Sequence, residues 1–337
     1  MFTKNFNIHL PKNSKLSKFE VNNYINDCKK NLQSFKKIFP PFSKSKLLNY
    51  EDIWEKIKGY NTSTFMTEMW SEHLEYIKKH FFEEPYNLFH HDIIRYAMYL
   101  TAGNELAKKQ ISYLEKSYSE KILNFYLPEI QTFEHVISNS KYNCSESRIQ
   151  HLTHLTFAQD KLKIKLNQLN SFVEFGGGYG GMTSLIKRIN PNSTILVIDF
   201  PIMLLVQMYY YYPIHKENIN IMDNNNNNII EGKINLCPIN IVKDINFNPF
   251  DLFIATWSLS ESNKKTNDII LNELNLFDSK NILYGYRDYG NEKPNPRQMC
   301  SKKLPLNKKK NEYDILFDDK CFFALANEHS YLIAKRI

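Results

Sequence analysis

The sequence predicts an α/β fold: a Rossmann-like, doubly wound, mostly parallel sheet with a terminal antiparallel strand, preceded by an N-terminal helical domain. Three observations carry this expectation. The texture changes near residue 170 from helical spacing to short apolar runs, a glycine-rich turn closes the first of those runs, and the chain finishes on two apolar runs joined by a polar link.

At 337 residues the chain exceeds the usual size of one domain, so two units are expected. The first, 1–145, holds few glycines and places apolar residues three and four apart, as in Met66-Trp70-Leu74-Ile77 and Ile93-Ala97-Leu100. Helices are expected near 20–37, 50–58, 66–80, 91–109, 111–125 and 146–160, with breaks at Pro40-Pro41, Pro85 and Pro128. This unit would serve as a lid, an acceptor-binding surface or an oligomerisation element.

The second unit, 146–337, alternates short apolar runs with helical segments, which is how buried parallel strands and their crossovers read. The expected strands are 171–175, 194–199, 233–236, 251–256 and 281–286. Further on, 321–326 and 331–335 are separated by Asn327-Glu328-His329-Ser330 and suggest an antiparallel hairpin closing the sheet.

Bulk properties narrow the class. The hydrophobic fraction of 42% can fill a core, and no apolar run approaches the roughly 20 residues a membrane span needs. The first residues, Met1-Phe2-Thr3-Lys4-Asn5-Phe6, carry no apolar signal core, so the expected location is the cytoplasm. The five cysteines stand singly, without the spacing of a zinc or redox motif, and read as reduced structural thiols. The formal charge of +7 is concentrated in the first sixty residues and at Lys308-Lys309-Lys310. Without an interleaved RNA- or DNA-binding motif, it reads as a solvated basic surface rather than a nucleic-acid site. The run Asn224 to Asn228 is low-complexity sequence and reads as a surface loop.

The chemistry gathers at Glu174-Phe175-Gly176-Gly177-Gly178-Tyr179-Gly180, followed by the helix-compatible run from Met182 to Ile189. Glycine permits positive φ and keeps a Cβ out of a ligand's way, and a helix N-terminus offers free N–H donors to a carboxylate. The spacing E-x-G-x-G-x-G differs from the G-x-G-x-x-G of dinucleotide sites. Asp199, at the end of the second strand, is placed to accept two hydrogen bonds from ribose hydroxyls. Glu174, Gly176, Gly177, Gly178, Tyr179, Gly180, Asp199, Phe200 and Trp257 form the candidate cofactor site.

Four segments, Val173 to Met182, Asn190-Pro191-Asn192, Ile198-Asp199-Phe200-Pro201 and Ala255-Thr256-Trp257-Ser258-Leu259-Ser260-Glu261, resemble the bacterial sugar O-methyltransferases. These are class I S-adenosylmethionine-dependent enzymes associated with surface-polysaccharide gene clusters. The resemblance spans roughly 145–290 and leaves the first 140 residues unmatched. It implies S-adenosylmethionine as cofactor and a carbohydrate partner, with a hydroxyl of a sugar nucleotide or glycan precursor as acceptor.

In such a sheet the reacting groups lie beyond the carboxyl ends of the strands. Glu261, His154 and Asp288 are the candidates for the base, since a sugar hydroxyl must lose its proton during transfer. Glu261 could equally cap the next helix, in the run Ser260-Glu261-Ser262. His151 and His154 lie three apart on one helix and read as polar packing rather than as a metal site. His90, His91, Arg95 and Arg287 are candidate sugar contacts. Trp257 could stack on adenine, face a sugar or pack in the core, and Tyr209 to Tyr212 read as packing or as the interface of a homo-oligomer. An NAD-dependent oxidoreductase, an RNA methyltransferase and a non-catalytic cofactor-binding module are the competing readings.

Overall fold

The computed structural model describes residues 52–59, 63–83, 104–128, 142, 144–215, 218–287, 312–320 and 329–337. In the N-terminal part a short helix spans 52–57, and α1 (Glu68–Glu83), α2 (Asn104–Ser117) and α3 (Glu120–Tyr126) follow. The apolar spacing expected over 66–80 is realised in α1, which buries Leu74, Ile77 and Phe81. The expected break near residue 110 is absent. Lys108-Lys109-Gln110 contains no breaker, so α2 continues, burying Ala107, Gln110 and Leu114 along one side. The chain breaks instead at Ser119, which is extended (φ −66°, ψ 155°). The helix expected at 20–37 and most of that at 91–109 lie outside the described residues.

Helix α4 (Glu146–Leu162) precedes the sheet, and its N-cap Ser145 accepts a hydrogen bond from the Arg148 amide at 3.0 Å. The strands are β1 (Ser171–Phe175), β2 (Thr194–Asp199), β3 (Ile219–Ile221), β4 (Ile234–Pro238), β5 (Leu252–Thr256), β6 (Asn281–Arg287), β7 (Tyr313–Lys320) and β8 (His329–Arg336). Helix α5 (Gly181–Ile189) joins β1 to β2, and α6 (Pro201–His215) leads from β2 towards β3. Between β5 and β6 the chain forms α7 (Lys264–Asp268) and tighter or wider turns beyond it.

The order across the sheet is β3-β4-β2-β1-β5-β6-β8-β7. Ladders between the first six are parallel, whereas β8 pairs antiparallel with both β6 and β7. Among the described strands, β8 alone therefore runs against the rest. The expected antiparallel ending is present, but its partner is β7 at 313–320, and the strand expected at 321–326 lies outside the described residues. Acidic residues at Asp314, Asp318 and Asp319 disguise β7 as a loop, as charge commonly does on a sheet edge.

Alternate residues of each strand enter opposite cores. Phe172, Ile195, Val197 and Ile254 pack with the buried faces of α4, α5 and α6, whereas Val173, Leu196, Ile198 and Phe253 face the turns after β4 and β5. Both faces are thus covered, as a parallel sheet requires. The first core continues without interruption into Leu74, Ile77 and Phe81 of α1. The order reverses between β1 and β5, and the crevice beyond their carboxyl ends is where such sheets bind ligands.

The run Asn224 to Asn228 is a loop, and its amides hold it in shape. Asn226 donates to Asn220 Oδ1 and to the Ile221 carbonyl, both at 3.1 Å, and Asn227 donates to the Asp244 carbonyl at 2.8 Å.

Candidate active site

The turn after β1 is pressed between the turn after β5 and α6. Gly176 has φ 73°, and a Cβ there would run into the Ser258 side chain, whose hydroxyl donates to the Phe175 carbonyl. Gly180 caps α5 with φ 103°, and a Cβ there would come within 2.6 to 2.8 Å of the Tyr211 ring. Both positions require glycine for their backbone angle. The room that a side chain would fill is taken by protein, not left for a ligand as expected from the sequence.

Two carboxylates flank this turn. Glu174 is buried and accepts from the Thr183 hydroxyl, and burial raises its pKa to about 7. Asp199 accepts from the Phe200 amide at 2.8 Å through Oδ1 and from the Gln207 amide at 2.7 Å through Oδ2. Burial likewise raises Asp199 to about 7, with the nearby Glu174 adding to the shift. The Gly177 backbone amide also bonds this carboxylate, and a carboxylate has about four lone-pair positions, so these three bonds leave room for one further donor.

Trp257, immediately beyond β5, sits at φ 64°, a costly region for a bulky side chain. Its amide donates to the Gly285 carbonyl at 2.7 Å, and its carbonyl accepts from the Ser260 hydroxyl at 2.6 Å. These bonds hold the indole over the crevice, where its buried Nε1 has no partner among the described residues. Glu261 lines the same cavity and does not cap α7. That place is taken by Asn263, whose Oδ1 accepts from the Thr266 amide at 2.9 Å.

The cavity joins these parts into one site. Its walls include Glu174 through Tyr179, Asp199, Phe200, Trp257, Glu261, His151 and His154. Gly180 lies just beyond, as the cap of α5. His151 stacks on Tyr179 with centroids 6.0 Å apart, and His154 lies 5.2 Å from Trp257. Burial holds both imidazoles neutral, with His151 lowered to about 3. Among the described residues no group of three or more His, Cys, Asp or Glu side chains could hold a metal ion.

Several contributors escape a reading by motif. Ile239, after β4, and Met203, on α6, supply apolar walls. His329 opens β8 rather than lying in a hairpin turn, and it faces Trp257 at 5.1 Å. Phe65, Thr67 and Trp70 reach the cavity from the N-terminal part. Their segment is fastened across the site: the Asn263 amide donates to the carbonyls of Thr64 (2.8 Å) and Met66 (3.2 Å), and the Thr266 hydroxyl donates to that of Phe65 (3.1 Å). A sequence shows such contacts only as isolated aromatic residues about two hundred positions away from their partners.

Tyr209, Tyr210 and Tyr211 are all buried, so this part of the aromatic run is packing within the chain. It can be buried around its circumference because α6 lies between the sheet and α1, with Phe81 6.1 Å from Tyr209 and Tyr179 5.1 Å from Tyr210. His90, His91, Arg95 and Asp288 lie outside the described residues, as does the side chain of Arg287, whose backbone ends β6.

No protein-family model matches the chain, and no curated protein matches it. Solved structures similar to it include the mitomycin 7-O-methyltransferase MmcR, at 10% identity and a TM-score of 0.37, covering 57% of this chain and 56% of that one. Another is the N-methyltransferase NodS from Bradyrhizobium japonicum with S-adenosylhomocysteine, at 13% identity and 0.40, covering 56% and 86%. A third is the magnesium protoporphyrin IX methyltransferase ChlM from Synechocystis with S-adenosylhomocysteine, at 12% and 0.39, covering 65% and 100%. The chain thus spans little more than half of MmcR. No helix among the described residues is long and apolar enough to cross a membrane.

Proposed function

We propose that this chain is an S-adenosylmethionine-dependent O-methyltransferase that acts on a sugar hydroxyl in the cytoplasm. The observation that carries the reading is the convergence, at the switch point between β1 and β5, of the E-x-G-x-G-x-G turn, the β2 acid Asp199 and the Trp257 to Glu261 turn. The reversed strand β8 beside β6 favours this class over an all-parallel dinucleotide fold.

The residues fit the cofactor. Asp199 would take a ribose hydroxyl on its remaining lone pair, and the N-terminus of α5 would face the methionine carboxylate. Phe200 and Trp257 offer flat faces for adenine. When bound, S-adenosylmethionine supplies a methyl group already activated on a sulfonium. The protein then has to align the acceptor, exclude water and receive a proton. Glu261 and His154 are the base candidates among the described residues, both on the cavity wall.

The sugar acceptor rests on the sequence resemblance, and Trp70 and Trp257 on the cavity wall suit the apolar face of a sugar ring. The N-terminal part, 1–145, would act as the lid, since Phe65, Thr67 and Trp70 already contribute to the wall. Calorimetry with S-adenosylhomocysteine and with NAD tests the reading, and binding of NAD alone overturns it. Methyl transfer to a panel of sugar nucleotides, followed by mass spectrometry, tests the acceptor class. Cofactor binding without transfer to any of them would move the reading to another acceptor or to a binding module.

A further inference from the structure

Four rings from three elements crowd together: His154 from α4, Trp257 beyond β5 and His329 from β8 line the cavity, and Tyr331 from β8 packs against His154 and Trp257. His154 lies 5.2 Å from both Trp257 and Tyr331, and Trp257 lies 5.1 Å from His329, measured between centroids. The pair that matters is His154 with Tyr331. The tyrosine hydroxyl is hydrogen-bonded most closely to Nδ1 of His154 and stands 3.4 Å from Nε2, and both residues are buried at 1% exposure.

That bond fixes the ring and commits one of its nitrogens. In a neutral imidazole one nitrogen carries the proton and the other a lone pair, and a partner on the first decides which is which. If Nδ1–H donates to the Tyr331 oxygen, Nε2 holds the lone pair. Resting from Nδ1 on a third group in this way is how an activated base is built. We propose that His154 receives the proton of the acceptor hydroxyl through Nε2, and that Tyr331 is the positioning residue that sets its tautomer and aim. The proposal rests on the methyltransferase reading and extends it to the identity of the base.

The step balances. The acceptor oxygen bonds to the methyl carbon as the carbon–sulfur bond breaks, and that bonding pair leaves with sulfur. The O–H pair stays on oxygen while the proton passes to Nε2. One cation disappears as another forms, so the enclosed site carries the same charge before and after. This is why a histidine that burial and its neighbours His151 and His329 keep neutral can still take a proton here.

Sinefungin provides a readout that needs no acceptor, because it carries an amine-bearing carbon in place of the methylated sulfur. Its ammonium should donate to Nε2 of His154. In calorimetry the unaltered chain should prefer sinefungin to S-adenosylhomocysteine, and His154→Leu should cut that preference about tenfold while leaving S-adenosylhomocysteine affinity intact. Tyr331→Phe, which keeps the ring packing, should also reduce the preference. It should move the His154 proton off Nδ1 in nitrogen-15 spectra, a change that loss of packing alone does not produce. Unchanged preference in both variants, or its loss in Glu261→Gln instead, overturns the assignment. If the unaltered chain binds neither compound, the methyltransferase reading falls and takes the assignment with it.

Discussion

The side-chain amide of Gln207 donates to two acceptors, Oδ2 of Asp199 at 2.7 Å and the Gly178 carbonyl at 3.1 Å. A residue in the middle of α6 thus sets the spacing between the glycine turn and the acid that would take the ribose. Gln207→Met keeps the volume and removes both donors. S-adenosylhomocysteine should then bind about tenfold more weakly, as expected for one charge-assisted hydrogen bond. Asp199→Ala should cost about 1 to 3 kcal/mol in the same titration, and normal affinity in a folded variant would refute the ribose assignment.

The pH dependence of stability should have limbs of two origins. Glu174 and Asp199 are raised to about 7, so the folded state binds more protons than the unfolded one above the ordinary carboxylate range. Their contribution is complete at low pH and is lost as pH rises through 7. The histidines act in the opposite sense. His151, lowered to about 3, and His215, lowered to about 4, contribute above the ordinary histidine pKa and lose that contribution as pH falls. The Tm of the ligand-free chain should therefore be nearly level between about pH 4.5 and 6.5, where the two contributions offset, and should fall on either side. Between pH 6.5 and 8 the Tm should fall by about 4 °C. Glu174→Gln, which can still accept from Thr183, should flatten that alkaline limb.

Cofactor affinity should move the other way over the same interval. Ribose hydroxyls would donate to Asp199 best when it is ionised, so S-adenosylhomocysteine should bind more tightly at pH 8 than at pH 6, by roughly tenfold. Asp199→Asn should bind weakly at both pH values. A wild-type affinity that does not change across this range would show that the carboxylate is already ionised or is not a ligand.

The sheet was legible because its parallel strands are buried on both faces and read as apolar runs, and because β1 ends in a turn only glycine can make. Glu174, Asp199 and Trp257 were legible for the same reason: each stands at or just beyond the carboxyl end of a strand whose direction points to the crevice. β7 was not, since its edge position lets Asp314, Asp318 and Asp319 replace apolar residues. His329 looked like a turn residue because the boundary of β8 is set by pairing with Arg287, a partner that no local pattern reveals. Trp70 fitted a helical periodicity and Phe65 fell just before it, and only tertiary contact brings them to the site.

The fastening of residues 64–66 can be separated from the capping of α7, although Asn263 does both. Asn263→Asp keeps an oxygen for the Thr266 amide but loses the Nδ2 donors to Thr64 and Met66. Global stability should fall by only about 1 kcal/mol. Amides of residues 66–71 should exchange about tenfold faster in hydrogen-exchange measurements, as the segment opens more often. Equal protection in the variant and the unaltered chain would mean that Phe65 and Trp70 are held by packing alone.

Gly176 meets two separate demands, and a pair of variants can resolve them. Its φ of 73° is unfavourable for any residue with a Cβ, and the place of that Cβ is held by Ser258. Gly176→Ala should cost about 1 kcal/mol or more for the backbone angle and a further 1 to 3 kcal/mol for the collision. Adding Ser258→Gly removes the collision and leaves the angle, although it also gives up the hydroxyl that donates to Phe175. In urea unfolding the double variant should recover part of the loss, so that the two substitutions are less than additive. Strict additivity would mean that Ser258 moves aside freely, and that the φ angle alone dictates glycine at this position.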